Sequence, residues 1–116
     1  MLTKFSDLEN KSVLITGGGS GIGAEITKAF IQQGAKVSFV QRTDAEQFCD
    51  EVESEFHSRP YFIKCDVTDL NELKKAVESA ISVNGDIDIL VNNAANDHRH
   101  ETLNVTEEYW DNSQAI

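Results

Sequence analysis

Apolar and polar positions follow one another along the chain in blocks that predict strands and helices in turn. Runs that are apolar on both faces predict four buried strands, at 12–16, 36–40, 61–65 and 87–91. Apolar residues at helical spacing predict intervening helices at 22–33, from 43 to about 56 and from 68 to 85, with a last helix from near Thr106. Continuously apolar strands separated by helices are typical of a parallel sheet covered on both faces. The chain is therefore predicted to be an α/β protein with a doubly wound parallel sheet of strand order 3-2-1-4.

Local signals predict where the helices begin and end. Gly34 fits the position just past the end of the first helix. The sequence Thr43-x-x-Glu46 has the form of a capping box at the start of the second helix, and Thr68 can cap the third. The first helix is expected to face the core with an apolar stripe made of Ile22, Ile26, Ala29 and Phe30.

Length, charge and cysteine content narrow the class of protein. The 116 residues fit one domain, and a net charge of −10 makes nucleic acid an improbable partner. The first residues lack a basic segment followed by an apolar run, and no apolar window reaches the ~20 residues of a membrane span. We therefore expect a cytoplasmic protein without a membrane partner. Cys49 and Cys65 are expected to be reduced, buried thiols, and neither is assigned to a metal.

The segment TGGGSGIG, Thr16–Gly23, has the glycine content of a phosphate-binding loop. It follows the first strand and precedes a helix N-terminus, where unpaired N–H groups and the helix dipole favour an anion. A nucleoside triphosphate loop would need Lys and then Ser or Thr where the chain has Ala24 and Glu25. Residues 19–24 instead match GxGxxG/A, which in this context predicts dinucleotide binding. The alternative is a plain turn that is rich in glycine.

The end of the second strand carries the signal for the type of dinucleotide. An acid about 20 residues past the glycines would hold the adenosine ribose hydroxyls, whereas a basic residue would suit a 2′-phosphate. The sequence there is Val40-Gln41-Arg42-Thr43, with no acid. Arg42 therefore predicts a preference for NADP over NAD. The alternative is that Arg42 is a solvated loop residue.

Three segments together resemble the short-chain dehydrogenase/reductase family over essentially the whole chain: Thr16–Gly23, Asp66-Val67 after the third strand, and Asn92-Asn93-Ala94-Ala95 after the fourth. The resemblance implies a Rossmann fold of which these are the first four strands. It implies that the glycine loop holds the cofactor pyrophosphate, that the acid contacts the adenine amino group, and that the Asn-Asn segment lines the adenosine side and braces the sheet. The implied cofactor residues are Gly17, Ser20, Gly21, Ile22, Gly23, Asp66, Val67, Asn92, Asn93 and Ala94. Ala95 replaces the glycine that is usual in the family.

A narrower resemblance concerns the substrate. The polar run Asn92–His100, followed by Tyr109-Trp110-Asp111, is similar to the aldose and polyol dehydrogenases of the family. Such a loop beside a nicotinamide would suit a polyhydroxylated substrate, although it would also fit an exposed surface loop. His98 and His100 lack a third ligand, so no metal site is predicted.

The family's catalytic Tyr-x-x-x-Lys pair is absent from this sequence. Tyr61 is followed four residues later by Cys65, and Tyr109 by Ser113. We therefore assign no catalytic residue within residues 1–116. The resemblance implies that they are the dinucleotide-binding, N-terminal portion of a longer single-domain dehydrogenase, truncated relative to the family and homo-oligomeric when complete.

The fourth strand favours the same interpretation. Residues 87–91 are apolar on both faces and would form an unpaired, aggregation-prone edge in this chain. The main hypothesis is an oxidoreductase that transfers hydride between a nicotinamide cofactor and a small alcohol or carbonyl compound, possibly a sugar. The alternatives are a non-catalytic dinucleotide-binding module that acts through a partner chain, and a structural fragment with a vestigial glycine loop.

Overall fold

The computed structural model describes residues 6–19 and 21–93, and its strands form one parallel sheet between two layers of helices. The strand order is β3-β2-β1-β4, which confirms the predicted order. After a short 3-10 helix at Ser6–Leu8, the elements are β1 Ser12–Thr16, α1 Gly21–Gln32, β2 Lys36–Gln41, α2 Glu46–Phe56, β3 Tyr61–Lys64, α3 Leu70–Asn84 and β4 Ile89–Asn92.

The strand register brings the carboxyl ends of the strands to the same edge of the sheet. Thr16 at the end of β1 pairs with Val40 of β2 on one side and with Asn92 of β4 on the other. Gln41 at the end of β2 pairs with Lys64 at the end of β3. The segments that leave these strands therefore lie side by side along one edge of the sheet, which includes the point between β1 and β4 where the chain order reverses.

Two apolar cores explain why the strands read as continuous apolar runs. Side chains of β1 alternate between them, because successive residues of a strand point to opposite faces. Val13 and Ile15 pack with α1 and α2, whereas Leu14 packs with α3. Phe39 is fully buried beneath α2, where its ring lies 5.9 Å from that of Phe48 in an edge-on arrangement. Such pairs contribute beyond the area that they bury.

Both predicted threonine caps are wrong. The N-cap residue of α2 is Ala45, which makes no side-chain capping bond. Thr43 instead accepts hydrogen bonds from the Gln41 amide at the end of β2. At α3 the cap is Asp69, whose carboxylate accepts the backbone N–H groups of Asn71 and Glu72. A carboxylate at this position also interacts favourably with the helix dipole.

Other boundaries shift by one or two residues. The first helix begins at Gly21 rather than Ile22, β3 ends at Lys64, and β4 runs from Ile89 to Asn92 instead of 87–91. Of the predicted core stripe, Ile22 is 73% exposed and Ala29 is also exposed, so only Ile26 and Phe30 pack against the core. The buried residues of α1 are Gly23 in its first turn, followed by Thr27 and Ile31.

The last strand, β4, is less buried than the sequence pattern predicts. All four of its residues are only half-buried, because within residues 6–19 and 21–93 it pairs with β1 alone. Its start is fixed to β1 by Asp88, whose carboxylate accepts the Ser12 N–H at 2.9 Å and whose own N–H donates to the Ser12 carbonyl. In the same described ranges, no helix is long and apolar enough to cross a membrane.

The two cysteines are free, buried thiols, as predicted. Cys49 lies on the core face of α2, and Cys65 follows β3. Burial raises the pKa of each thiol from its ordinary value of 9.0 to about 11, because the apolar surroundings disfavour the thiolate. Both thiols are therefore protonated and poorly reactive in the folded protein at neutral pH.

These pKa values predict how stability depends on alkaline pH. Between pH 9 and pH 11 the unfolded thiols lose their protons while the folded ones keep them, so the free energy of unfolding falls as pH rises through this window. Replacing both Cys49 and Cys65 with Ala should make that decline shallower. Urea unfolding of both proteins at several pH values measures the slopes, and equal slopes in the two proteins would contradict the prediction.

Candidate functional site

The glycine loop crosses the edge of the sheet between β1 and α1. Gly17 adopts a left-handed conformation with φ of 71°, and its N–H donates to the Val40 carbonyl of β2 at 2.6 Å. The loop then reaches the N-terminus of α1 at Gly21, and the first turn of that helix contains no acidic residue. Because the first N–H groups of a helix have no partner within it, the start of α1 provides hydrogen-bond donors that favour an anion.

Close approach between loop, helix and sheet explains why glycine is needed in the loop. A Cβ atom at Gly18 would lie 2.6 Å from the Cβ of Phe39 and 2.8 Å from Oγ1 of Thr27. A Cβ atom at Gly23 would overlap the carbonyl oxygen of Gly17 and lie 2.6 Å from Nδ2 of Asn93. Gly23 therefore lets the first turn of α1 lie directly against the loop at Gly17.

A hydrogen-bond network around Thr16 joins the loop to β4. The buried Thr16 hydroxyl donates to Oδ1 of Asn92 at 3.0 Å and accepts the backbone N–H of Asn93 at 2.8 Å. The Asn93 side chain donates to the Gly17 carbonyl at 3.1 Å. Nδ2 of Asn92 is buried and has no hydrogen-bond partner among the described residues. Asn92 and Asn93 thus bind Thr16 and Gly17, where the glycine loop begins.

Two further residues hold the loop, and sequence reasoning missed both. Thr27 is fully buried in α1 and donates its hydroxyl to the Gly18 carbonyl at 2.9 Å. Gln41 accepts the Gly19 N–H at 2.9 Å through its side-chain oxygen. In the sequence, Thr27 could have been noticed only as a polar residue on the otherwise buried face of the first helix. Gln41 could have been noticed only as a neutral amide at a position where an acid that binds ribose is expected.

Arg42 lies between two adjoining cavities at the ends of β2 and β3. The first, of about 190 Å³, is lined by Gly17, Val40, Gln41, Arg42, Thr43, Cys65 and Val67. The second, of about 320 Å³, is lined by Arg42, Lys64, Cys65, Asp66 and Glu72. The structure therefore brings together three sequence-predicted cofactor residues, Gly17, Arg42 and Val67, and places Asp66 beside them.

Asp66 is held as a carboxylate by local hydrogen bonds. Its Oδ1 accepts the Thr68 hydroxyl at 2.6 Å and the Thr68 N–H at 2.9 Å. These bonds lower the pKa of Asp66 below its ordinary value, and the nearby positive charge of Arg42 contributes in the same direction. An ionised acid at this position can accept a hydrogen bond from an amino group.

Some predicted features lie outside the described residues. Ser20 and Ala94 are the cofactor residues concerned, and the histidines at 98 and 100, Tyr109 and the helix predicted near Thr106 lie there as well. Within the described ranges, no group of three His, Cys, Asp or Glu side chains could hold a metal ion. Tyr61 pairs its hydroxyl with Ser79 of α3 at 2.6 Å, in the layer between β3 and that helix.

The sequence of this chain is similar to those of known dehydrogenases. A family model described as short chain dehydrogenase matches residues 11–116. The probable galactose dehydrogenase GalD of Rhizobium meliloti (strain 1021) is 40% identical over 116 residues, which are 98% of this chain and 45% of that protein. The D-xylose 1-dehydrogenase of Caulobacter vibrioides (strain NA1000 / CB15N) is 42% identical over 108 residues, covering 92% of this chain and 42% of that protein.

The fold of this chain is also similar to that of a reductase of known structure. L-Sorbose reductase from Gluconobacter frateurii, complexed with NADPH and L-sorbose, is 30% identical with a TM-score of 0.70. The match covers 81% of this chain and 40% of that one. The chain thus spans less than half the length of each of these relatives.

The two glycines at the start of α1 provide a matched test of the loop geometry. Gly23→Ala should destabilise the protein by about 3 kcal/mol, because the new methyl group must displace the Gly17 carbonyl. Gly21→Ala should cost only about 1 kcal/mol, because space around Gly21 is open and the cost comes from its φ of 56°. Urea denaturation measures both, and equal losses would mean that α1 does not rest on the loop as described.

Proposed function

The chain belongs to the short-chain dehydrogenase family, and on that premise we propose that its glycine loop binds the pyrophosphate of a nicotinamide dinucleotide in an oxidoreductase. The observation that supports this most is the way the loop is built. Asn93 and Thr27 donate to the carbonyl groups of Gly17 and Gly18, and Thr16 accepts the Asn93 N–H where the loop leaves β1, so the loop that precedes the first turn of α1 is fixed in position. Because backbone donors in such a loop are already fixed in position, they lose little conformational entropy when an anion binds.

The adenosine half of the dinucleotide would extend toward β2 and β3. The cavity between Gly17 and Val67 adjoins the loop, and Asp66 beside it can accept a hydrogen bond from an adenine amino group. Asn92 and Asn93 would support this side of the site through Thr16 and Gly17. The pyrophosphate would contact backbone atoms of Gly21, Ile22 and Gly23. The side chain of Ile22 is exposed, so this part of the helix lies at the surface.

The chemistry at the end of β2 favours NADP over NAD in this proposal. Arg42 offers a planar cation at the cavity, and the preceding residue is the neutral Gln41 rather than an acid that would repel a 2′-phosphate. The L-sorbose reductase that this chain resembles was solved with NADPH. NAD is the alternative cofactor.

The substrate would be a small alcohol or carbonyl compound of the sugar class. Two relatives are named as galactose and xylose dehydrogenases, and the sorbose reductase structure contains a sugar. The nicotinamide ring would accept or donate the hydride. Residues 1–116 would supply the dinucleotide-binding portion of this activity.

A second candidate is a non-catalytic dinucleotide-binding module that acts through a partner chain. Among residues 6–19 and 21–93, β4 pairs only with β1 and is half-buried, and a strand of this kind can accept a further strand from a partner chain. The two candidates differ in what happens to a bound cofactor: the module binds it unchanged, whereas the oxidoreductase reduces or oxidises it.

Turnover of sugars distinguishes the two candidates. The protein expressed from its complete coding sequence should reduce NADP when aldoses or polyols are supplied, with no reduction when the sugar is omitted. Absorbance of the reduced nicotinamide follows the reaction. Binding of the dinucleotide without turnover on any aldose, polyol, ketose or simple alcohol would favour the module.

Replacing Arg42 tests the cofactor preference. Arg42→Ala should weaken NADPH binding by about tenfold to a hundredfold, the range expected for one charged hydrogen bond, and NADH binding by about twofold or less. Lys36→Ala is the matched control, since Lys36 is an exposed cation at the opposite end of the same strand. Fluorescence titration gives the dissociation constants, and an equal loss for both dinucleotides would argue against a 2′-phosphate role.

A further inference from the structure

Glu72 lies in the first turn of α3, and its side chain reaches back to a residue that precedes the helix. Its Oε1 accepts the backbone N–H of Asp66 at 3.1 Å. Its own N–H donates at 3.2 Å to Oδ1 of Asp69, the N-cap residue of α3. Glu72 therefore joins the start of this helix to Asp66, the acid after β3 that would bind the adenine amino group.

The contact between Glu72 and Asp66 differs from that of an ordinary helix cap. In a capping box, the third residue after the N-cap accepts the N–H of the N-cap residue itself. Here the Asp69 N–H donates instead to the Asp66 carbonyl at 3.0 Å, and Glu72 accepts the Asp66 N–H. Both backbone groups of Asp66 are thus bound by the start of α3, which fixes the position of this residue.

The carboxylate of Asp66 is oriented on this fixed backbone. Oδ1 accepts both the hydroxyl and the N–H of Thr68, at 2.6 and 2.9 Å. Among residues 6–19 and 21–93, Oδ2 has no hydrogen-bond partner. Asp66 and Glu72 both line the cavity of about 320 Å³ beside Arg42. One carboxylate oxygen is therefore available to accept a hydrogen bond from an amino group at this cavity.

We propose that Glu72 is a positioning residue for base recognition: by holding the backbone of Asp66, it sets the Asp66 carboxylate where it accepts a hydrogen bond from the amino group of adenine. The inference rests on the proposed dinucleotide-binding function and deepens it. Glu72 acts through Asp66 and not by contact with the base. Hypoxanthine carries a carbonyl in place of the amino group, so it offers no donor and brings an oxygen toward the carboxylate. The site should therefore distinguish these two bases, and the distinction should depend on Glu72.

Two substitutions separate the hydrogen bond of Glu72 from its charge. Glu72→Asp keeps a carboxylate in the first turn of α3, but the shorter side chain cannot reach the Asp66 N–H. Glu72→Gln keeps the length of the side chain and an acceptor oxygen, and it removes the charge. Glu78→Asp is the matched control, because Glu78 is an exposed acid further along the same helix.

The experiment compares two dinucleotides that differ only in the base. Each variant of the protein expressed from its complete coding sequence is titrated with NADPH or NADH, whichever the wild type binds more tightly, and with the hypoxanthine analogue of the same dinucleotide. Thermal unfolding of each variant is also recorded. The ratio of the two dissociation constants is decisive, because both dinucleotides carry the same phosphates and any effect of the Glu72 charge on those phosphates cancels.

The expected ratios follow from the value of one hydrogen bond. The wild type should bind the adenine dinucleotide about tenfold or more tightly than its analogue, as expected for a hydrogen bond to a charged acceptor. Glu72→Asp should lower this preference to about threefold or less, because the backbone of Asp66 is no longer held. Glu72→Gln and Glu78→Asp should keep the ratio within about twofold of that of the wild type, since neither change removes the acceptor for the Asp66 N–H.

A purely structural role of Glu72 gives a different result. An unchanged ratio in Glu72→Asp would overturn the positioning role, whatever happens to the unfolding temperature. A ratio that falls equally in Glu72→Gln would mean that the charge matters and not the hydrogen bond, and it would overturn the inference as well. Equal affinity of the wild type for the two dinucleotides would also overturn it, because Asp66 would then not recognise the amino group. Failure of the wild type to bind any of these dinucleotides would instead contradict the proposed function itself.

Discussion

The site depends on the buried hydroxyl of Thr16, which joins β1 to β4 where the glycine loop leaves the sheet. One hydroxyl can donate once and accept as well, and here it donates to Asn92 and accepts from Asn93. Because Thr16 is fully buried, loss of either contact would leave polar groups without water to replace them. The position of Asn93 then fixes Gly17, and Gly17 supports the first turn of α1 at Gly23. The pairing of β1 with β4 thus fixes the position of the glycine loop through the contacts of Thr16, Asn93 and Gly17.

Local charge at this edge of the sheet contrasts with that of the whole molecule. The chain carries a net charge of −10, which by itself disfavours a dinucleotide with several phosphates. The N-terminus of α1, Arg42 and Lys64 supply positive potential at the ends of β1, β2 and β3. The acids nearby are engaged: Asp66 accepts from Thr68, and Glu72 accepts the Asp66 N–H at 3.1 Å. The wall of this cavity thus carries two cations and two carboxylates, so its charge is close to balanced although the whole chain is strongly negative.

The sequence predicts the strands and their order well, because buried parallel strands leave a strong apolar signal. Local capping signals were less informative, since the side chains of Thr43 and Thr68 hydrogen-bond to Gln41 and Asp66 and neither threonine is the N-cap of its helix. The helical period placed Ile22 in the core, but the tight contact at Gly23 takes the place of an apolar side chain there. Gln41 and Thr27 could not be found from spacing, because their roles exist only once β2, α1 and the loop have come together.

Backbone amide chemical shifts, recorded by NMR as NADPH is added, test most directly whether this loop is the cofactor site. The account predicts large changes at Gly17, Gly18, Gly19 and Gly21–Gly23, smaller ones at Arg42, Asp66 and Val67, and none at Lys36 or Gly85 at the opposite edge of the sheet. Changes confined to that opposite edge, or none with saturating NADPH and NADH, would contradict it.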